Sequence, residues 1–299
     1  MGCEMGMDLK RLQTMELEMA KVLLSFCNKH GLKIWADSGT LLGAVRHHGF
    51  IPWDDDMDFV MFREDYDKLR DIARTEKVQE PYYFEIRQTL IRIKHAGTTM
   101  FATNVKYPNK NGGGNGGDIW IDIICMDKLP IVDDNFQKQW THIRQYDRVA
   151  NNKDSMTFAR SKGWVSKVWH FVCLLCNKKR REIKIDSFCK QYQKEECDIV
   201  SKLALYLRMA KFKDVEKIHL FNRHWYDDTV YLPFGEVEMP CPVDYDAVLR
   251  SMYGDSYMTP IQQSSVHGEV VVDLDRPYQV VVKELLSQIP WWKRFWYKY

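Results

Sequence analysis

The chain carries almost no excess charge: 43 Lys and Arg against 41 Asp and Glu leave a formal charge of +2 over 299 residues. Near-neutrality of this kind excludes wholesale nucleic-acid binding and leaves room only for local basic patches. The opening MGCEMGMDLK lacks an apolar core, so it does not read as a secretory signal. Gly6 stands where a myristoylation motif needs Ser or Thr. No repeat with a period of about 20–50 residues is visible. The eight cysteines have no zinc-ribbon spacing, since the C-x-x-C at Cys173 and Cys176 sits in an apolar run without a matching pair. They read as reduced, mostly buried thiols, and the expected compartment is the cytoplasm. The glycine run 112–117 lacks the strand-to-helix setting of a phosphate loop and reads as a lid or linker.

Apolar residues make up 45% of the chain, enough for a substantial core in one large domain or two modest ones. Leu9, Leu12, Met15, Met19, Val22, Leu23 and Phe26 recur at helical spacing, and Gly31 follows where a left-handed helix end wants glycine. Residues 32–36 read as a strand, and a short helix follows over 41–47, with Ser38 or Thr40 as its cap. Strands are predicted over 56–62, 82–88, 90–96 and 118–124, with a helix over 64–74. Further on, helices are expected over 133–151, within 164–210 and over 244–254, and a hairpin or extended segment over 231–242. The fold class is therefore α/β (α+β), with a sheet flanked by helices in the first half and a mostly helical second half.

The segment IPWDDDMDFVMF (51–62) places Asp54, Asp55, Asp56 and Asp58 at the mouth of an apolar strand. Alternation along a strand puts Asp54, Asp56 and Asp58 on one face. Two carboxylates at that spacing chelate a hard cation such as Mg²⁺ or Mn²⁺, which relieves their mutual repulsion. Asp58 stands inside MDFVM, where an unpaired carboxylate is costly. Gly39-Thr40, at the start of the preceding helix, completes a pattern of strand, small-residue helix start and D-x-D strand. That is the arrangement of the nucleotidyltransferase fold, in which backbone amides and a hydroxyl approach a phosphate.

WADSGTLLGAVRHHGFIPWDDDMDFVM (35–61) resembles the signature of LicD-type phosphocholine transferases, a family that includes the fukutin-related phosphoribitol transferases. The resemblance continues in RIKHAGTT (92–99), WIDIICMDKLP (120–130) and 231–260, with 135–225 less diagnostic. Ile124-Cys125-Met126 departs from the aromatic and Pro-Leu more usual there. The resemblance implies a catalytic core over 1–132 of nucleotidyltransferase type and an acceptor-side region over 133–299. It also implies transfer of a phospho-alcohol from a CDP-alcohol (CDP-choline or similar) to a glycan hydroxyl, releasing CMP. Asp56, Asp58 and Asp122 would be catalytic and would hold Mg²⁺ or Mn²⁺. Ser38, Gly39, Thr40, Arg46, Arg92 and Lys94 would contact the donor. Asp122 is preferred over Asp118 as third carboxylate because it is flanked by Ile121 and Ile123 and matches the family's position in WIDII. Its role is ligand or general base.

Two other classes compete: a D-x-D glycosyltransferase using a nucleotide sugar, and a non-catalytic carbohydrate-binding relative. Only 55 residues precede Asp56, short for the first, and retention of Gly39, Asp56, Asp58 and Asp122 argues against the second. GWVSKVWHFVCLLCNKKRR (163–181) is too short to span a bilayer, which needs about 20 apolar residues. With the aromatic, basic tail WWKRFWYKY it suits peripheral contact with an anionic membrane, as a lipid-linked acceptor would require. A packed helix is the competing account. His267 is expected to have little part in binding.

Overall fold

A computed structural model describes residues 8–102, 116–129, 132–151, 164, 168, 178–209, 218–261 and 270–288. Residues 112–115 of the glycine run, Cys173, Cys176, His267 and the C-terminal tail lie outside the described residues. The first helix, α1 (Leu9–Lys29), starts at Asp8, whose carboxylate accepts from the Arg11 N–H at 3.1 Å. It ends at Gly31, φ 61°, where the Gly31 N–H donates to Asn28 O (3.1 Å) and the Leu32 N–H to Cys27 O (2.9 Å). That bond pair closes a helix around a glycine, as the sequence predicts.

Next come β1 (Trp35–Ala36), α2 (Ser38–His47), β2 (Asp58–Phe62) and α3 (Arg63–Ile72). The hairpin β3 (Tyr82–Arg87) and β4 (Leu90–His95) is followed by β5 (Thr99–Ala102), β6 (Gly116–Gly117) and β7 (Trp120–Lys128). The second half adds α4 (Asp134–Asn151), α5 (Lys178–Cys189), β8 (Ile199–Ser201), α6 (Leu203–Arg208) and β9 (Phe221–Asn222). After these run the hairpin β10 (Thr229–Phe234) and β11 (Val237–Pro242), then α7 (Tyr245–Tyr253), β12 (Val270–Asp273) and α8 (Tyr278–Ser287). Strands from the second half complete sheets begun in the first: β8 pairs with β7, and β12 with β5.

The main sheet has seven strands with the path β1-β2-β7-β4-β3, and β8 and β9 extend it from β7. Within it β2 and β7 are parallel, a pairing that the long excursion through α3 and the β3–β4 hairpin makes possible. Alternation is clear on β7 and β4. Ile119 (just before β7), Ile121, Ile123, Ile91 and Ile93 face a core with α1 against it, while Trp120 and Asp122 stand half-buried on the opposite face. A second cluster joins Phe136 and Trp140 of α4 to Phe188 of α5 and Leu203 and Leu207 of α6.

The two clusters meet at a buried ion network. Arg63 donates from Nε (2.7 Å) and Nη2 (2.9 Å) to the two oxygens of Asp127, and from Nη1 to Asp186 at 2.9 Å. Asp127 is on β7 and Asp186 on α5, so this fork fastens the second half to the sheet. All three side chains are 5% exposed or less. Breaking such a pair leaves uncompensated buried charge, so Arg63→Met should cost about 3–5 kcal/mol in urea unfolding. A loss below about 1 kcal/mol, typical of an exposed pair, would contradict this account.

Candidate active site

The site is built at the start of α2. The residue before the helix is Asp37, which corrects the expectation of Ser38 or Thr40 as cap. The Asp37 carboxylate makes no capping bond; it accepts from Ser38 Oγ at 2.8 Å and from Lys202 Nζ at 2.6 Å. Ser38 is left-handed, φ 48°, a conformation that non-glycine residues adopt at a cost of about 1–3 kcal/mol. The Thr40 hydroxyl is also committed: it accepts from the Asp58 N–H at 2.9 Å. The Asp37 N–H donates to Asp58 O at 3.0 Å, so the start of α2 grips both sides of the Asp58 peptide. Gly39 is required for close approach, because a Cβ there would lie 2.4 Å from Asp54 Oδ2.

The acidic stretch differs in one respect from the sequence expectation. Only Asp58 lies in the strand, and Asp54–Met57 precede it as an irregular segment. The alternation persists: Asp55, Met57 and Phe59 are buried, while Asp54, Asp56 and Asp58 are half-buried. Carboxylate oxygens of Asp54, Asp55 and Asp56 come within 4.8 Å of one another, close enough to share a cation. Gln13 of α1 ties this segment down, donating to Asp54 O at 2.9 Å and Ile51 O at 3.3 Å.

Across the sheet the strand registers align four charged side chains: Asp58 opposite Asp122, Asp122 opposite Arg92, and Arg92 opposite Glu85. Arg92 donates to both Asp122 oxygens, at 2.5 Å from Nε and 3.3 Å from Nη2, and Trp120 Nε1 donates to Oδ2 at 3.2 Å. The Arg92 guanidinium also lies 4.3 Å from the centre of the Trp120 ring. Asp122 therefore has the donor partners that its setting between isoleucines demands.

Electrostatics set Asp58 apart. Burial pushes its carboxyl well above the usual carboxylate range, and Asp56, Asp122 and Asp37 push further, with Lys202 pulling the other way. Glu16 of α1 lies in the stripe Leu12, Glu16, Met19, fully buried, and neither of its oxygens has a hydrogen-bond partner among the described residues. Burial first, then Asp56, Asp55, Asp54 and Asp58, raise its carboxyl strongly. At the end of α7, the Tyr253 phenol is pushed up by desolvation and then by Asp37, Asp58, Asp54 and Asp56, although 43% of the residue stays exposed.

Of the residues singled out from sequence, Asp56, Asp58, Asp122, Ser38, Gly39, Thr40 and Arg92 gather here. Lys94 is on the same sheet face but covered: it donates to Glu85 at 3.2 Å and would meet a Cβ on Gly117 at 2.7 Å. Arg46 turns to the α7 side, donating to Tyr257 O (2.7 Å) and His47 Nε2 (2.9 Å). Sequence reasoning missed Asp37, Glu16, Lys202 and Tyr253. A carboxylate inside an apolar helical stripe was a usable signal for Glu16, and a helix-preceding Asp for Asp37. Lys202, 165 positions from Asp37, gave none.

Residues 31–165 match the LicD/FKTN/FKRP nucleotidyltransferase domain. Over 265 residues the chain is 23% identical to the lipopolysaccharide cholinephosphotransferase LicD of Haemophilus influenzae, covering 86% of this chain and 94% of that one. It is 34% identical over 59 residues to human ribitol 5-phosphate transferase FKRP, 20% of this chain and 12% of that one. An uncharacterized protein of Rickettsia prowazekii is 54% identical over 44 residues, 15% of this chain and 16% of that one.

The raised Glu16 carboxyl has a pH consequence. The folded chain keeps a proton that the unfolded chain releases above the ordinary value of 4.5, so stability falls as pH rises from there through the raised value. Glu16→Gln removes that slope. In metal-free buffer it should match the wild type near pH 4 and be more stable by about 1 kcal/mol or more near pH 7. Equal urea midpoints at both pH values would show that Glu16 does not carry the cost assigned to it.

Proposed function

We propose that this chain, whose residues 31–165 are a LicD-family nucleotidyltransferase domain, transfers a phospho-alcohol from a CDP-alcohol to a glycan hydroxyl and releases CMP. The observation that carries the reading is the register that sets Asp58 against Asp122, with Asp56 close enough to raise the Asp58 carboxyl. The names of two relatives, a cholinephosphotransferase and a ribitol 5-phosphate transferase, favour choline or ribitol phosphate as the group transferred.

The chemistry fits a hard divalent cation: the oxygens of Asp54, Asp55 and Asp56 lie close enough to share one, and the Asp58 carboxyl is pressed by Asp56 and by Asp122, its partner on the neighbouring strand. Asp56 and Asp58, with Asp122, would hold Mg²⁺ or Mn²⁺, which when bound supplies neutralisation of charge on the diphosphate. In the transfer, the acceptor oxygen forms a bond to the phosphorus carrying the alcohol, and the bond from that phosphorus to the CMP oxygen breaks. The start of α2 sets Asp58 for this, with Thr40 and Asp37 fixing its peptide and Gly39 admitting the Asp54 carboxylate against the helix start. Arg92 adds positive charge on the sheet face where the diphosphate would lie. Asp122 would either take the acceptor's proton as base or help to hold the cation, in which case the proton would pass to solvent water.

No helix among the described residues is long and apolar enough to cross a membrane. Trp164 and Val168, one helical turn apart in the stretch 163–181, are 76% and 51% exposed. That suits peripheral contact with an anionic bilayer carrying a lipid-linked acceptor, and liposome co-sedimentation without salt-sensitive binding would remove this part of the reading.

Incubation with Mg²⁺ and a panel of CDP-choline, CDP-ribitol, CDP-glycerol and UDP-sugars should yield CMP. Release of UDP alone would turn the reading to a D-x-D glycosyltransferase, and release of neither to a binding protein. Asp56→Asn and Asp58→Asn should each lower CMP release by about 100-fold or more, with an unchanged or higher melting temperature in metal-free buffer because a repelling charge is gone. Near-wild-type turnover in either variant would sink the metal assignment. Asp122→Asn separates its two roles: a base variant still binds nucleotide in a Mg²⁺-dependent way by calorimetry, whereas a ligand variant does not.

A further inference from the structure

Lys202 follows β8 directly, outside the segment that matches the family. Its neighbour Ser201 pairs with Asp127 of β7 and donates from Oγ to His219 O at 2.8 Å, which fixes where the lysine emerges. The ammonium reaches Asp37 Oδ2 at 2.6 Å and lies 5.3 Å from the Phe221 ring centre. The lysine side chain is 2% exposed and that of Asp37 1%, so neither charge has water to stabilise it and each depends on the other. Asp37 in turn donates its N–H to Asp58 O, accepts the Leu41 N–H at its own carbonyl (3.1 Å), and accepts the Ser38 hydroxyl while Ser38 is held left-handed.

We infer that Lys202 is a positioning residue for the transfer: by balancing Asp37 it holds the start of α2, and through it the Asp58 peptide, in the orientation that the reaction uses. This rests on the proposed transferase reading for its kinetic consequence, though not for its structural one. Without the lysine, the Asp37 carboxylate must pick up a proton or turn towards water. Either change loosens the grip of Asp37 and Thr40 on Asp58. The second half of the chain, on this view, takes part in constructing the site.

The test uses the full chain with Lys202→Met, which keeps the stem and removes the charge, and Lys202→Met/Asp37→Asn, which replaces the ion pair by neutral groups of similar shape. Hydrogen exchange by mass spectrometry should show the Leu41 and Asp58 amides opening about tenfold faster in Lys202→Met, with the β3–β4 hairpin unchanged, and a return towards wild type in the double variant. CMP release per folded molecule should fall about tenfold with donor KM within about twofold, and recover in the double variant. Unchanged exchange at Asp58, equal acceleration in the hairpin, or a double variant no better than the single would each overturn the inference. Should Lys202→Met fail to fold, Asp37→Asn alone must show the same localised acceleration, and its absence would count equally against the proposal. If the wild type releases no CMP from any CDP-alcohol, the transferase reading falls while the exchange measurements still decide the role of Lys202.

Discussion

Carboxylates repel, and this fold packs Asp37, Asp54, Asp55, Asp56, Asp58, Asp122 and Glu16 around the meeting point of one helix start and two parallel strands. Everything near that point is arranged to tolerate the crowding. Lys202 answers Asp37, and Arg92 with Trp120 answers Asp122. Glu16 has no such partner among the described residues, and its surroundings favour the protonated form. Asp58 has its main chain fixed on both sides while its side chain is pressed by negative neighbours. A group held firmly in place and short of positive charge is suited to a cation that arrives with its ligand.

Strand β7 shows how the scaffold supports this. Near its start it carries Asp122, hydrogen-bonded to Arg92 of the neighbouring strand; near its end it carries Asp127, fully buried and forked by Arg63. One end faces the candidate chemistry and the other fastens the second apolar cluster to the sheet. The same end pairs with β8, from which Lys202 leaves for Asp37. The contacts that join the two halves of the chain thus lead back to the acidic site rather than forming a separate interface.

Local regularities were legible in the sequence because their causes are local. The stripe of α1 and its glycine end, the alternation in DIWIDII, the β3–β4 and β10–β11 hairpins and the acidic run all follow from spacing within a few residues. The Gly-Thr at the helix start points to Thr40 as a site residue, but its bond to the Asp58 N–H depends on how α2 lies beside β2, which spacing does not encode. The pairs Asp37–Lys202 and Arg63–Asp186 join residues 165 and 123 positions apart. Each lysine or arginine in them reads, alone, as an ordinary surface charge. Glu16 was overlooked because helical periodicity marks where a core face lies and not which polar residue intrudes on it.

The central claim is that the crowded carboxylates hold a divalent cation against the donor diphosphate. A crystal of the chain grown with Mn²⁺ and CDP-choline, measured for manganese anomalous scattering, tests it most directly. The account predicts a peak bridging Asp56 and Asp58 at about 2.0–2.3 Å, in contact with the diphosphate and on the side of Asp122. A peak held by Asp54 and Asp55 without Asp58, or a diphosphate bound elsewhere with no metal at the acids, would contradict it.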